Sequence, residues 1–112
     1  MSLDLAIKAA LANPIKRAPR MAAVIKDRKR LVSIGLNTFK THPLQAKFGK
    51  MDECIYLHAE IAAFVNARCD VTGMTLYVAR VTRDGKPALA KPCSGCQRAI
   101  VQFGFGKVEW TT

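Results

Sequence analysis

Hydrophobic positions along this chain change period several times, and each change marks an element. Leu3, Ile7, Ala10 and Leu11 share one helical face behind Ser2, a candidate N-cap, and Asn13-Pro14 closes that helix. Residues 21–26 and 31–37 are apolar runs separated by the charged turn Asp27-Arg28-Lys29-Arg30, which predicts an antiparallel hairpin. Residues 58–68 return to helical spacing and are expected to bury Ile61, Phe64 and Val65. After Gly73, residues 74–81 carry the β-branched and aromatic content of a buried strand, and Asp84-Gly85 marks a turn. A further helix opens near Cys93, is expected to bury Ile100, Val101 and Phe103, and stops at 104–106. Residues 107–111 alternate as a short last strand with Val108 and Trp110 on one face.

The resulting order is α-β-β-α-β-α-β. Strand-helix-strand-helix-strand runs imply parallel pairing with right-handed crossovers, so the expected architecture is an α/β fold with a mixed sheet of about four strands. Residues 38–56 follow neither period and read as a long binding loop carrying Phe39, His42, Pro43, Phe48 and Gly49.

At 112 residues the chain has room for one core, and it reads as a single domain over 1–112. No apolar run approaches the ~18 residues of a membrane span, and residues 1–5 lack the pattern of a signal peptide. The expectation is a cytoplasmic protein with no membrane partner. Eighteen Lys and Arg against eight Asp and Glu give a formal charge of +10, which favours anionic partners such as nucleotides or nucleic acid. Charge alone does not choose between them, and a basic, well-solvated surface would read the same way.

Two segments carry chemistry: His58-Ala59-Glu60 and Pro92-Cys93-Ser94-Gly95-Cys96. The C-x-x-C spacing beside a proline reads as metal ligation rather than a disulfide, and Cys54 and Cys69 read as free thiols. Catalytic zinc usually takes three protein ligands and keeps one position open; His58, Cys93 and Cys96 supply three. Cysteines three apart share a face on a helix's first turn, where the thiolate is also favoured. Glu60 lies roughly 200° around the helix from His58, so it is expected beside the open position as general acid/base rather than as a fourth ligand. A closed structural site would need its fourth ligand from Cys54, Cys69 or His42.

The pattern H-x-E…P-C-x-x-C is the signature of zinc-dependent nucleobase deaminases. From Met21 to Trp110 the chain resembles the cytidine/deoxycytidylate deaminase superfamily, in a short form, with both motifs complete. The resemblance implies a three-layer-like cytidine deaminase fold in which the two motifs open two helices beside a central sheet. The C-terminal strand and helix of many relatives are expected to be missing. It also implies Zn2+ as cofactor. Gly35-Leu36-Asn37 resembles the family's Gly-x-Asn, whose asparagine contacts the nucleoside sugar, and Ala59 would offer backbone contacts to the base edge. The insertion 38–57 is longer than in tRNA-type relatives. Within it Phe39 is a candidate to stack on the base and His42 to touch sugar or phosphate, with loop packing the simpler role for each.

The resemblance implies hydrolytic deamination of cytosine in a free nucleoside or nucleotide, giving uracil and ammonia. An alternative is deamination of cytosine or adenine in single-stranded DNA or RNA, where the base is taken unpaired. A non-catalytic nucleic-acid-binding module on the same fold is a third reading, against which the intact Glu60 argues. Homo-oligomerisation is expected, because an edge strand and apolar residues near Trp110 need cover.

Overall fold

The computed structural model describes residues 2–15, 19–38 and 58–112. In chain order these hold α1 (Ser2–Leu11), β1 (Arg20–Asp27), β2 (Arg30–Leu36), α2 (Ala59–Ala67), β3 (Thr75–Val81), β4 (Pro87–Ala88), α3 (Ser94–Phe103) and β5 (Lys107–Trp110). The elements follow the expected order, with the two-residue β4 added. That strand arises because the turn at Asp84-Gly85 is tight: Gly85 takes a φ of 82° and Thr82 N–H reaches the Lys86 carbonyl at 2.9 Å. Pro87 and Ala88 are thereby laid against Val81 and Arg80.

The sheet order is β2-β1-β3, and β4 and β5 share the far edge of β3. β1 runs antiparallel to both β2 and β3, so β2 and β3 point the same way with β1 between them. β3 and β5 pair in parallel, Leu76 against Val108 and Val78 against Trp110. The sheet is therefore mixed, and the α2 crossover passes over β1 rather than joining adjacent strands.

Central strands are buried on both faces, which explains the unbroken apolar run in β1. Ala23, Ile25, Leu76 and Val78 face a core packed by α2 and α3, while Ala22, Val24, Ala79 and Val81 face α1. The layers are thus one helix, the sheet, and two helices. A bulge between Ile25 and Lys26 leaves Val32 as the extra residue of β2 and turns it toward the α2 side.

Three helix faces differ in detail from the sequence reading. In α1 the most buried residues are Ala6 and Ala10, while Leu11 is 41% exposed. In α2 burial centres on Ala59 to Ala63, with Phe64 and Val65 only half-buried. In α3 the core stripe is Cys96, Ala99, Ile100 and Phe103 at spacings of three, four and seven; Val101 falls off it and is 80% exposed.

Candidate metal centre

Small residues bring α2 onto the sheet. A Cβ built on Gly35 would stand 2.1 Å from the Ala63 nitrogen and 2.6 Å from the Ala59 oxygen, so only glycine permits this approach. One turn along the strand face, the Ser33 hydroxyl donates to the Ala63 carbonyl at 2.7 Å. The Asn66 amide donates to the Ile34 carbonyl at 2.9 Å. Helix α2 is thereby fixed to β2 through backbone atoms, with its first turn at the carboxyl end of that strand. His58 is its N-cap, in extended conformation.

The second helix start is held by the opposite edge. Thr111 N–H donates to the Val78 carbonyl, its hydroxyl to Ala88, and its carbonyl accepts from Ala90 N–H. This clamp fixes the segment leading into Pro92-Cys93. Cys93 caps α3, its sulfur accepting from Cys96 N–H at 3.4 Å. Both helices begin at the carboxyl ends of parallel strands, where ligands gather in open α/β sheets. They pack side by side through Ile61, Cys96 and Ala99 and through a stacked Phe64–Phe103 pair with centroids 3.6 Å apart.

His58 Nδ1 lies 3.5 Å from Cys93 Sγ and 3.3 Å from Cys96 Sγ. All three donor atoms fall within 4.8 Å of one another, and this donor group does not include Glu60. Zinc bonds of about 2.0–2.3 Å in a tetrahedron place neighbouring donors roughly 3.5 Å apart, so the residues present fit that ion. The hydrogen bond from Cys96, aided by His58, pushes the Cys93 thiol down to about 3. Its hydrogen bond with Cys93, burial and the nearby Glu60 charge push Cys96 up.

Glu60 is 5% exposed. Burial raises its pKa above the usual carboxylate range, opposed by its own backbone N–H and by His58, and it also shares a hydrogen bond with the Cys96 thiol. The carboxylate thus sits against the donor set without joining it.

Asn37 stands at the same end of the sheet, two residues beyond Gly35. Its amide oxygen accepts from Met21 N–H at 3.0 Å and from Asn13 Nδ2 at 2.7 Å, and its nitrogen donates to the Pro19 carbonyl at 2.9 Å. Ala59 is fully buried in the first turn of α2, where backbone N–H groups lack intrahelical acceptors. Phe39, His42 and Cys54 lie outside the described residues, and with them the expectations for base stacking, sugar contact and further ligands. Cys69 is an exposed free thiol. Sequence reasoning passed over Ser33, Asn66, Thr111 and the packing role of Gly35. The alternation of Ser33 and Gly35 on one strand face was the available signal for a closely docked helix.

An α/β domain with one imidazole, two sulfurs and a buried carboxylate at paired helix starts defines a metal-binding protein of the deaminase type. The family model for the cytidine and deoxycytidylate deaminase zinc-binding region matches residues 2–112, and the chain belongs to that family. None of the curated proteins compared matches it. Among solved structures it is similar to the dCMP deaminase of cyanophage S-TIM5 in apo form. The TM-score is 0.67 at 21% identity, covering 96% of this chain and 77% of that one. The same phage enzyme in complex with dCMP and dUMP also gives 0.67, at 20% identity, over 97% and 76% of the two chains. A diaminohydroxyphosphoribosylaminopyrimidine deaminase/5-amino-6-(5-phosphoribosylamino)uracil reductase from Thermotoga maritima gives 0.57 at 22% identity. There the match covers 96% of this chain but 27% of the other. At such identities the likeness carries the fold alone. Among the described residues no helix is long and apolar enough to cross a membrane.

Proposed function

We propose that residues 1–112 form one deaminase domain that hydrolyses the exocyclic amine of cytosine in a free nucleotide of the dCMP type, releasing ammonia. The observation that carries this reading is the His58–Cys93–Cys96 donor set with the buried Glu60 carboxylate hydrogen-bonded at its side. His58, Cys93 and Cys96 would hold a zinc ion, and the chemistry such an ion would supply is acidification of water toward neutral pH. Glu60 does the proton work at its carboxylate: it takes one proton from the water and delivers it to the ring nitrogen of the base, then takes the second and delivers it to the departing amine, so that cytosine and water give uracil and ammonia. Burial suits it to this, because a carboxyl with a raised pKa holds a proton more readily than an exposed one. Ala59 offers a first-turn N–H to the base edge, and Asn37 contacts the sugar. Phe39 belongs to the same reading as a base contact and His42 as a sugar or phosphate contact. The complex of the cyanophage dCMP deaminase with dCMP and dUMP supports the choice of nucleotide.

A second reading, deamination within single-stranded DNA or RNA, is favoured by the +10 charge. Ammonia release from dCMP, CMP, cytidine, deoxycytidine, adenosine, guanine and single-stranded oligonucleotides separates the two. Turnover of dCMP or another free cytosine nucleotide is expected; turnover of oligonucleotides alone, falling with salt, replaces the first reading by the second. Self-association is part of the proposal. Trp110 packs half-buried against the core, but Val101 and Leu89 stand 80% and 58% exposed, and light scattering would find a monomer if they need no cover.

A further inference from the structure

Asn13 is a polar side chain 95% buried, two residues beyond the end of α1. Its carbonyl oxygen accepts from Ile15 N–H at 3.1 Å, and its Nδ2 donates to the Met21 carbonyl at 3.1 Å and to Asn37 Oδ1 at 2.7 Å. That last bond decides the state of Asn37. An amide oxygen has two acceptor positions, and Asn13 and Met21 N–H fill both. The amide nitrogen has two hydrogens, and Pro19 takes one. Among the described residues the second has no partner. Asn37 can therefore offer a ligand only an N–H, and rotation of its amide would set its nitrogen against two donors, Asn13 Nδ2 and Met21 N–H, and its oxygen against the Pro19 carbonyl. A cavity of about 280 Å³ opens here, lined by Asn13, Pro14, Ile15, Leu36, Asn37 and Thr38.

We infer that Asn13 is a positioning residue for substrate recognition, holding the Asn37 amide as a donor aimed at an acceptor oxygen on the sugar–phosphate portion of the nucleotide. This rests on the proposed nucleotide reading. It adds that the specificity of Asn37 is set from just beyond α1, by a residue outside both zinc motifs. Such a residue acts on binding, whereas Glu60 acts on turnover, so the two should separate kinetically.

The test uses the full, zinc-loaded chain. Asn13→Ala should raise KM for dCMP about tenfold with kcat within about twofold and zinc content unchanged. Asn37→Ala should raise it similarly, and the double variant should add little to either single change, because both remove the same contact. Should Asn13→Ala fail to fold, Asn13→Asp keeps the acceptor for Ile15 and removes the donor, and the same KM rise is expected. Deoxycytidine run in parallel locates the acceptor: a rise for both substrates places it on the sugar, a rise for dCMP alone on the phosphate. A KM unchanged by loss of Asn13 while Asn37→Ala raises it, or full additivity of the two, overturns the inference. Wild-type protein inactive on every free nucleotide overturns the functional reading itself, and that result is seen before any variant is made.

Discussion

Gly35 lies so close to Ala63 that a methyl group on it would stand 2.1 Å from the Ala63 backbone nitrogen. No side-chain rearrangement relieves a clash with backbone, so Gly35→Ala must push α2 off the sheet. The cost is expected at about 3 kcal/mol, the upper part of the overpacking range, lowering the melting midpoint by roughly 10 °C or more. Because α2 carries His58, bound zinc should fall as well. Thermal melts with metal analysis on the same samples check both, and an unchanged midpoint would refute this packing.

Ser33→Ala is the milder change at the same contact. It removes the 2.7 Å bond from the hydroxyl to the Ala63 carbonyl without adding bulk. A loss of about 1 kcal/mol in urea unfolding is expected, with zinc content intact. A loss comparable to that of Gly35→Ala would mean the hydroxyl, not the close approach, holds the helix.

Much of this was legible in advance, for reasons that differ by element. The spacing of His58, Cys93 and Cys96 was readable because ligand chemistry restricts which residues can serve and a helix start restricts how far apart they fall. The run Met21 to Ile25 was readable as a strand because burial on two faces leaves no polar position. Val101 is apolar yet 80% exposed because it lies out of phase with the stripe through Cys96 and Ala99, and hydrophobicity alone carries no phase. β4 was too short to carry a period. The linkage of Asn13 to Asn37 joins positions 24 residues apart through amides, which no hydrophobic pattern records.

Glu60→Gln keeps the shape of the buried side chain and removes its capacity to carry a proton. Turnover should fall by about 10²–10⁴ with zinc still bound, measured by ammonia release and metal content. Activity within a few fold of wild type would remove Glu60 from the proposed proton transfer.

Cys93→Ser deletes the sulfur that both contacts His58 and caps α3. Zinc per chain should drop well below one, and the α3 start should loosen. Stripping wild-type protein with a chelator should lower its melting midpoint too, since metal at a thousand times its Kd contributes about 4 kcal/mol. Full zinc in the serine variant would refute the ligand assignment.

Asp70 provides a pH-dependent contribution away from the metal. Its carboxylate accepts from the Thr72 hydroxyl at 2.6 Å and amide at 2.9 Å, which lowers its pKa. A carboxyl lowered on folding stabilises the fold fully above its unfolded value of about 3.9, and this contribution is lost as pH falls through the folded value. Melts of wild type and Asp70→Asn should therefore differ most near neutrality and converge in acid. A constant difference down to low pH would show that the carboxylate charge is not what matters.

The β1–β2 hairpin turns at Arg28 and Lys29, at the opposite end of the sheet from Gly35 and the helix starts. Strand length therefore separates the metal donors from this exposed tip. A tether, fluorophore or fused domain attached at the tip would face away from the metal donors. The molecule thus offers a natural point of attachment to a surface or a sensor, with its metal donors outward.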